Sequence, residues 1–131
     1  MASFIYDAAI DAVWQGDIAL DTADVKMLLL TDDYTASQTA DAYVSSITTA
    51  ARVATTAVLT SKSFTLGMFD AADPALSALT GNTVDAIALF VDTGSDATSR
   101  LLSYHTVTPS YVPTGADVVV SIPTTGIWAK S

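Results

Sequence analysis

Thr83-Val84-Asp85-Ala86-Ile87-Ala88-Leu89-Phe90-Val91-Asp92 is the most strand-like stretch of the chain. Val84, Ala86, Ala88 and Phe90 recur at a period of two. Asp85, Ile87, Leu89 and Val91 fall on the opposite, more mixed face. A run apolar on both sides predicts a central strand rather than an edge. Residues 93–98 then read as a hairpin-like connection, and 100–107 as its antiparallel partner. Beyond it, Pro109, Pro113 and Gly115 mark a loop, 118–122 a Val-rich strand, and 126–129 a last short strand.

Working toward the N-terminus, Gly81-Asn82 is a turn signal, 75–79 is weakly extended and 70–74 is a turn. Residues 53–59 and 63–69 are rich in Thr and aromatics and predict strands. Residues 39–47 predict a short helix capped by Thr39, with Tyr43 and Ile47 one turn apart. Residues 25–31 form an apolar run expected to be a buried strand, and 17–20 a short strand before the turn at 21–24. At the start, Phe4, Ala8, Ala9, Ala12 and Val13 recur at helical spacing, Asp7 and Asp11 sit on early turns, and Gly16 stops the helix.

About eight short strands after one short helix predict a mainly β fold: an antiparallel β-sandwich or jelly-roll-like domain. One domain is expected over 1–131, with 1–16 a helical segment serving as a docking arm and 17–131 the sandwich. At 131 residues the chain is long enough to bury about two-thirds of its unfolded surface without covalent staples.

The composition narrows the chemistry. The formal net charge is −9, from 14 acids against five Lys and Arg. All 14 acids are Asp, a turn and cap former, and none is Glu. Five scattered cations disfavour a basic nucleic-acid face and an anionic membrane surface. Without Cys there is no disulfide, thiol nucleophile or thiolate-bound metal. The opening Met1-Ala2-Ser3-Phe4-Ile5-Tyr6-Asp7 carries no basic segment and no apolar core of a leader. No window approaches the ~20 apolar residues of a membrane span.

Three constellations hint at chemistry. Phe90-Val91-Asp92-Thr93-Gly94-Ser95 resembles the active-site signature of aspartic proteases, in which two aspartates share a proton. The chain after Gly94 is too short for a flap and a second half of that site, so a strand running into an Asp-Thr-Gly turn is the expectation. Asp92 and Asp96, Asp32-Asp33, and Asp21 with Asp24 are partial oxygen-ligand sets for Ca²⁺. They lack the bidentate acid that completes such a loop, so no metal or cofactor is assigned. His105, the single histidine, shares a strand face with Ser103. A triad with Asp117 would need a serine on a sharp turn, and no such elbow is present. No enzyme activity is expected.

The aromatics point to contact surfaces instead. Trp14, Tyr104, Tyr111 and Trp128 lie outside the strongest core strands, and Phe4 and Tyr6 lie in the arm. Tyr and Trp are enriched where proteins pack on one another. These six are the candidate interface residues, and the segment 3–14 and the 109–115 loop are the expected interface regions.

The layout as a whole resembles small virion structural proteins of tailed bacteriophages. The resemblance is carried by an amphipathic opening ending in Trp14-Gln15-Gly16, then Asp17-Ile18-Ala19-Leu20-Asp21-Thr22-Ala23-Asp24 and Val25-Lys26-Met27-Leu28-Leu29-Leu30-Thr31. Asp32-Asp33-Tyr34, the turn from Phe69 to Asp73, the strand and turn from Ala86 to Gly94, and Gly126-Ile127 after a Val-rich strand complete it. The resemblance implies a non-enzymatic head decoration (cement) protein, assembled in the host cytoplasm. It implies a homo-oligomer, dimer or trimer, bound to a major capsid protein lattice. A carbohydrate- or receptor-binding tail or surface module is the alternative.

Overall fold

The computed structural model describes residues 4–65, 68–121 and 128–129, with Thr108, Trp128 and Ala129 described as backbone. The chain is mainly β with antiparallel sheets and one short helix. Its elements are β1 (Phe4–Ile5), α1 (Asp7–Trp14), β2 (Val25–Leu30), β3 (Arg52–Thr55), β4 (Ser63–Thr65) and β5 (Met68–Asp70). They continue with β6 (Ala75–Leu76), β7 (Val84–Val91), β8 (Leu101–Tyr111), β9 (Val118–Val119) and β10 (Trp128–Ala129).

The 83–92 stretch does form the centre. β7 lies third in a five-stranded sheet of order β1-β8-β7-β2-β3, flanked by β8 and β2. Register sorts the side chains. Ala86, Ala88 and Phe90 stand opposite Leu30, Leu28 and Lys26, whereas Ile87, Leu89 and Val91 stand opposite Leu29, Met27 and Val25. Residues directly opposite one another share a face, so both faces of the sheet centre are apolar and both are covered. Leu28, Leu30, Ala86, Ala88 and Phe90 belong to the larger core cluster with Tyr6, Ala9 and Ala12 of the N-terminal segment. Leu29, Val84 and Ile87 form a smaller cluster with Leu79, Leu76 and Val118, which brings in the two-stranded sheet β6-β9. A three-stranded sheet, β10-β5-β4, adds Phe69 to the larger cluster.

The helix begins where strand pairing ends. The Tyr6 N–H donates to the Leu102 carbonyl, and the Asp7 N–H donates to the Gln38 carbonyl. Its end is fixed by Gly16 at φ +80°. There the Gly16 N–H donates to Val13 O and the Asp17 N–H to Ala12 O, at 3.2 and 2.8 Å. This pair of bonds closes a Schellman motif. A Cβ built on Gly16 meets no atom within 4 Å, so Gly16→Ala carries only the left-handed backbone penalty. The expected loss is about 1 kcal/mol, read as a lowered urea midpoint with unchanged slope.

Several expectations are corrected. Residues 17–20 are not a strand. Residues 39–47 hold no α-helix: Tyr43 is extended, forms an isolated bridge with Arg100, and leads into a 3₁₀ turn at Val44–Ser46. The 63–69 strand is two strands, β4 and β5, folded on each other, with Phe64 opposite Phe69. The loop expected from 109 onward starts later, because β8 runs through Pro109 to Tyr111. Pro109 is tolerated there by an irregularity. Ala86 pairs with Thr106 but Val84 with Tyr111, so several β8 residues stand opposite one of β7, and a missing N–H breaks no regular ladder.

The N-terminal arm is corrected as well. Phe4 and Ile5 pair with Tyr104 and Ser103 of β8, and α1 packs against β8. The segment 4–14 is thus docked on its own chain, with Tyr6, Ala9 and Ala12 in the core.

Candidate interaction surface

Tyr6, proposed as an arm residue, is 0 % exposed. Its hydroxyl lies 2.9 Å from that of Tyr34, which donates to Asp41 Oδ2 at 2.6 Å. Because the Tyr34 proton is committed to Asp41, Tyr6 is the donor to Tyr34. Asp41 Oδ2 also accepts the Ser37 N–H at 3.0 Å. Burial is the main reason that both phenols are held well above the ordinary tyrosine range. Phe4 stacks on Tyr104 with centroids 5.3 Å apart and meets Tyr6 edge-on at 5.1 Å. Tyr104 is buried and meets Tyr34 at 6.1 Å. The geometry therefore corrects Tyr6 and Tyr104 as exposed contact residues: their rings close the core under β1. Phe4 is half-buried there. Tyr111 is half-buried against the Leu29, Leu79 and Val84 cluster. Trp128 pairs its backbone with Phe69, and its side chain lies outside the described residues.

Trp14 behaves differently. It is 82 % exposed, at the last turn of α1. Ala9 and Ala12 of the same helix are buried, while Asp7, Asp11 and Trp14, at i, i+4 and i+7, are exposed. They form one solvent-facing stripe. The i, i+4, i+7 spacing of these three residues is readable in the sequence, where the apolar stripe on the opposite face is the stronger signal. Val112 and Val119 are also exposed, as is Phe64, which stacks on Phe69 at 5.0 Å.

The residues with catalytic overtones have local partners. Asp92 pairs with Lys26 Nζ at 2.6 Å and accepts the Gly94 N–H at 3.0 Å. The Lys26 hydrogen bond, followed by the Gly94 N–H, lowers its pKa. The Asp-Thr-Gly-Ser stretch is a turn at the end of β7, with Gly94 at φ +87°. Asp117 Oδ1 accepts the Ala78 N–H at 2.9 Å. Among the described residues, no three of His, Asp or Glu converge as a metal-ligand set.

Ser103 Oγ and His105 Nε2 do meet, at 2.9 Å. Register places Ser103 opposite Leu89 and His105 opposite Ile87, so the pair sits on the sheet among apolar neighbours. Ser103 is 1 % exposed, which leaves its hydroxyl a buried partner for the imidazole. Burial lowers the His105 pKa from its ordinary value of 6.5. The folded chain thus binds that proton less readily than the unfolded chain. The stability from neutral His105 is complete above about pH 6.5 and falls as pH drops toward the folded pKa. Urea midpoints are expected to decline over this window in the native chain, and less so in His105→Gln. Equal slopes in the two proteins would contradict this.

The described cations are all held internally. Besides the Lys26 pair, Arg52 Nη1 meets Asp96 Oδ2 at 2.7 Å, and Arg100 lies 3.8 Å from Asp17 and over the Tyr43 ring. Lys62 Nζ donates to the carbonyls of Leu20 and Ala23 at 2.7 and 2.6 Å.

Compared with known proteins, the chain matches no protein-family model and no curated sequence.

Proposed function

We propose that this chain is a non-enzymatic structural subunit of a tailed-phage virion. In this reading it is a head decoration protein, acting as a homo-oligomer on the outer lattice of a major capsid protein. The observation that carries the reading is Trp14, a large apolar side chain 82 % exposed on a helix that is otherwise locked into the core. A solvent-facing Trp on a docked helix is the kind of anchor on which interfaces concentrate their binding energy. On a lattice, many modest contacts of this kind act together. In the same reading, the two-stranded sheet β6-β9 closes over one face of the five-stranded sheet as part of the second layer of a β-sandwich. The clustering of Leu76 and Val118 with Leu29 and Ile87 supports that layering.

The test is copy number. Particles purified from the source would be quantified by mass spectrometry for this chain against the major capsid protein. A ratio near one, or a fixed simple fraction of it, is the expected result. A few copies per particle would move the chain to neck, tail or fibre, and complete absence from particles would overturn the virion reading. Exposed Trp14 also suits stacking on a sugar ring, the tail-module alternative. Saccharide-dependent quenching of its fluorescence would favour that role.

A further inference from the structure

We infer that the solvent face of α1 binds a cationic side chain, Arg or Lys, presented by the surface on which this protein docks. This inference rests on the structural-subunit reading and names the chemistry of its contact. Trp14 offers an open indole face, the best aromatic partner for a cation. The two exposed residues that share its stripe, Asp7 and Asp11, are both acids. Neither forms an ion pair with a described residue. Trp14 ends the helix, where backbone carbonyls gather partial negative charge. The last turn holds no basic residue to offset that charge. An apolar plate with the uncommitted Asp11 carboxylate one turn away, Asp7 further along the same stripe, and the negative helix end beside it is complementary to a guanidinium or ammonium group with its aliphatic stem.

A second copy of this chain does not supply that partner well. Its net charge is −9, and its described cations are engaged internally: Lys26 by Asp92, Arg52 by Asp96, Lys62 by two carbonyls and Arg100 by Tyr43 and Asp17. Among the described residues no cation is left over for a second copy, and the contact is assigned to a different protein with Arg or Lys at its rim.

The experiment uses particles from the source that lack this chain, to which purified full-length protein is added back at several salt concentrations. Native protein is expected to bind, with affinity falling as salt rises. Trp14→Ala is expected to weaken binding by about 30-fold or more with an unchanged melting temperature, since its side chain is largely in solvent. Asp7→Asn with Asp11→Asn is expected to weaken binding several-fold and flatten the salt dependence. If native protein binds and Trp14→Ala binds equally well, the inference is overturned while the decoration reading stands. If Trp14→Ala is impaired but the double Asn variant keeps the native salt dependence, the cationic partner is overturned. If native protein fails to bind particles at all, the decoration reading fails and takes the inference with it.

Discussion

Leu30→Ala is expected to destabilise the protein by about 3–4 kcal/mol, the largest loss from a single truncation in the sheet. Leu30 is 0 % exposed. It stands opposite Ala86 on one side and Arg52 on the other. Its cluster is unusually rich in alanine: Ala9, Ala12, Ala51, Ala86 and Ala88 are all members. Alanines have no side-chain torsion with which to swing into a vacated volume, so the cavity stays open and the cost stays near the upper part of the range. Leu30→Met, which nearly conserves volume, is expected to lose less than about 1.5 kcal/mol. Urea unfolding of the three proteins decides the matter. A Leu30→Ala loss under about 1 kcal/mol would mean that the helix and sheet close over the gap.

Arg52→Met is expected to lose about 2–4 kcal/mol, and roughly 10 °C in melting temperature. The Arg52 guanidinium donates from Nη2 to the carbonyls of Val44 and Ile47, at 3.0 and 2.8 Å, and from Nη1 to Asp96. One side chain thus ties β3 to the 3₁₀ turn and to the connection between β7 and β8. Methionine keeps the aliphatic stem but removes both donations; the Val44 carbonyl keeps the Ile47 N–H at 2.9 Å, whereas the Ile47 carbonyl loses its charged donor, and an acceptor left unsatisfied costs more than the bond was worth. Asp96→Asn removes only the exposed end of the same network and is expected to cost under about 1 kcal/mol. Equal losses in the two variants would place the stabilisation in the ion pair rather than in the carbonyls.

The sequence was most readable where structure is local. β7, the turn after it and the start of β8 follow from alternation and from Asp-Thr-Gly chemistry within some twenty residues. β2 follows from its apolar run. Long-range pairing is another matter. Phe4 pairs with Tyr104, and Val25 with Val91, and neither partnership leaves a mark near either residue. This is why Tyr6 looked like an arm residue: an aromatic near a terminus reads alike whether it faces solvent or a core built from strands a hundred positions away. The 39–47 segment failed for a related reason. Its helical spacing is genuine, but the Tyr43 bridge to Arg100 overrides a weak local preference. The 109–115 loop began late because proline bars only a regular ladder, and β8 is irregular at that point. For the surface, the sequence offered six aromatics on equal terms. Burial set Trp14 apart from Tyr6 and Tyr104, because an aromatic's packing partners, rather than its type, decide its exposure.

The inward commitment of Lys26 and Lys62 carries a practical consequence for anyone who immobilises or labels this protein. Succinimidyl esters and aldehydes acylate or condense with free amines. Lys26 and Lys62 hold, respectively, the β7 turn and the carbonyls of the 17–24 segment. Amine-directed coupling at Lys26 or Lys62 would consume the groups that fasten those loops. Carbodiimide activation of the exposed aspartates, most of them outside any ion pair among the described residues, leaves both lysine amines in place.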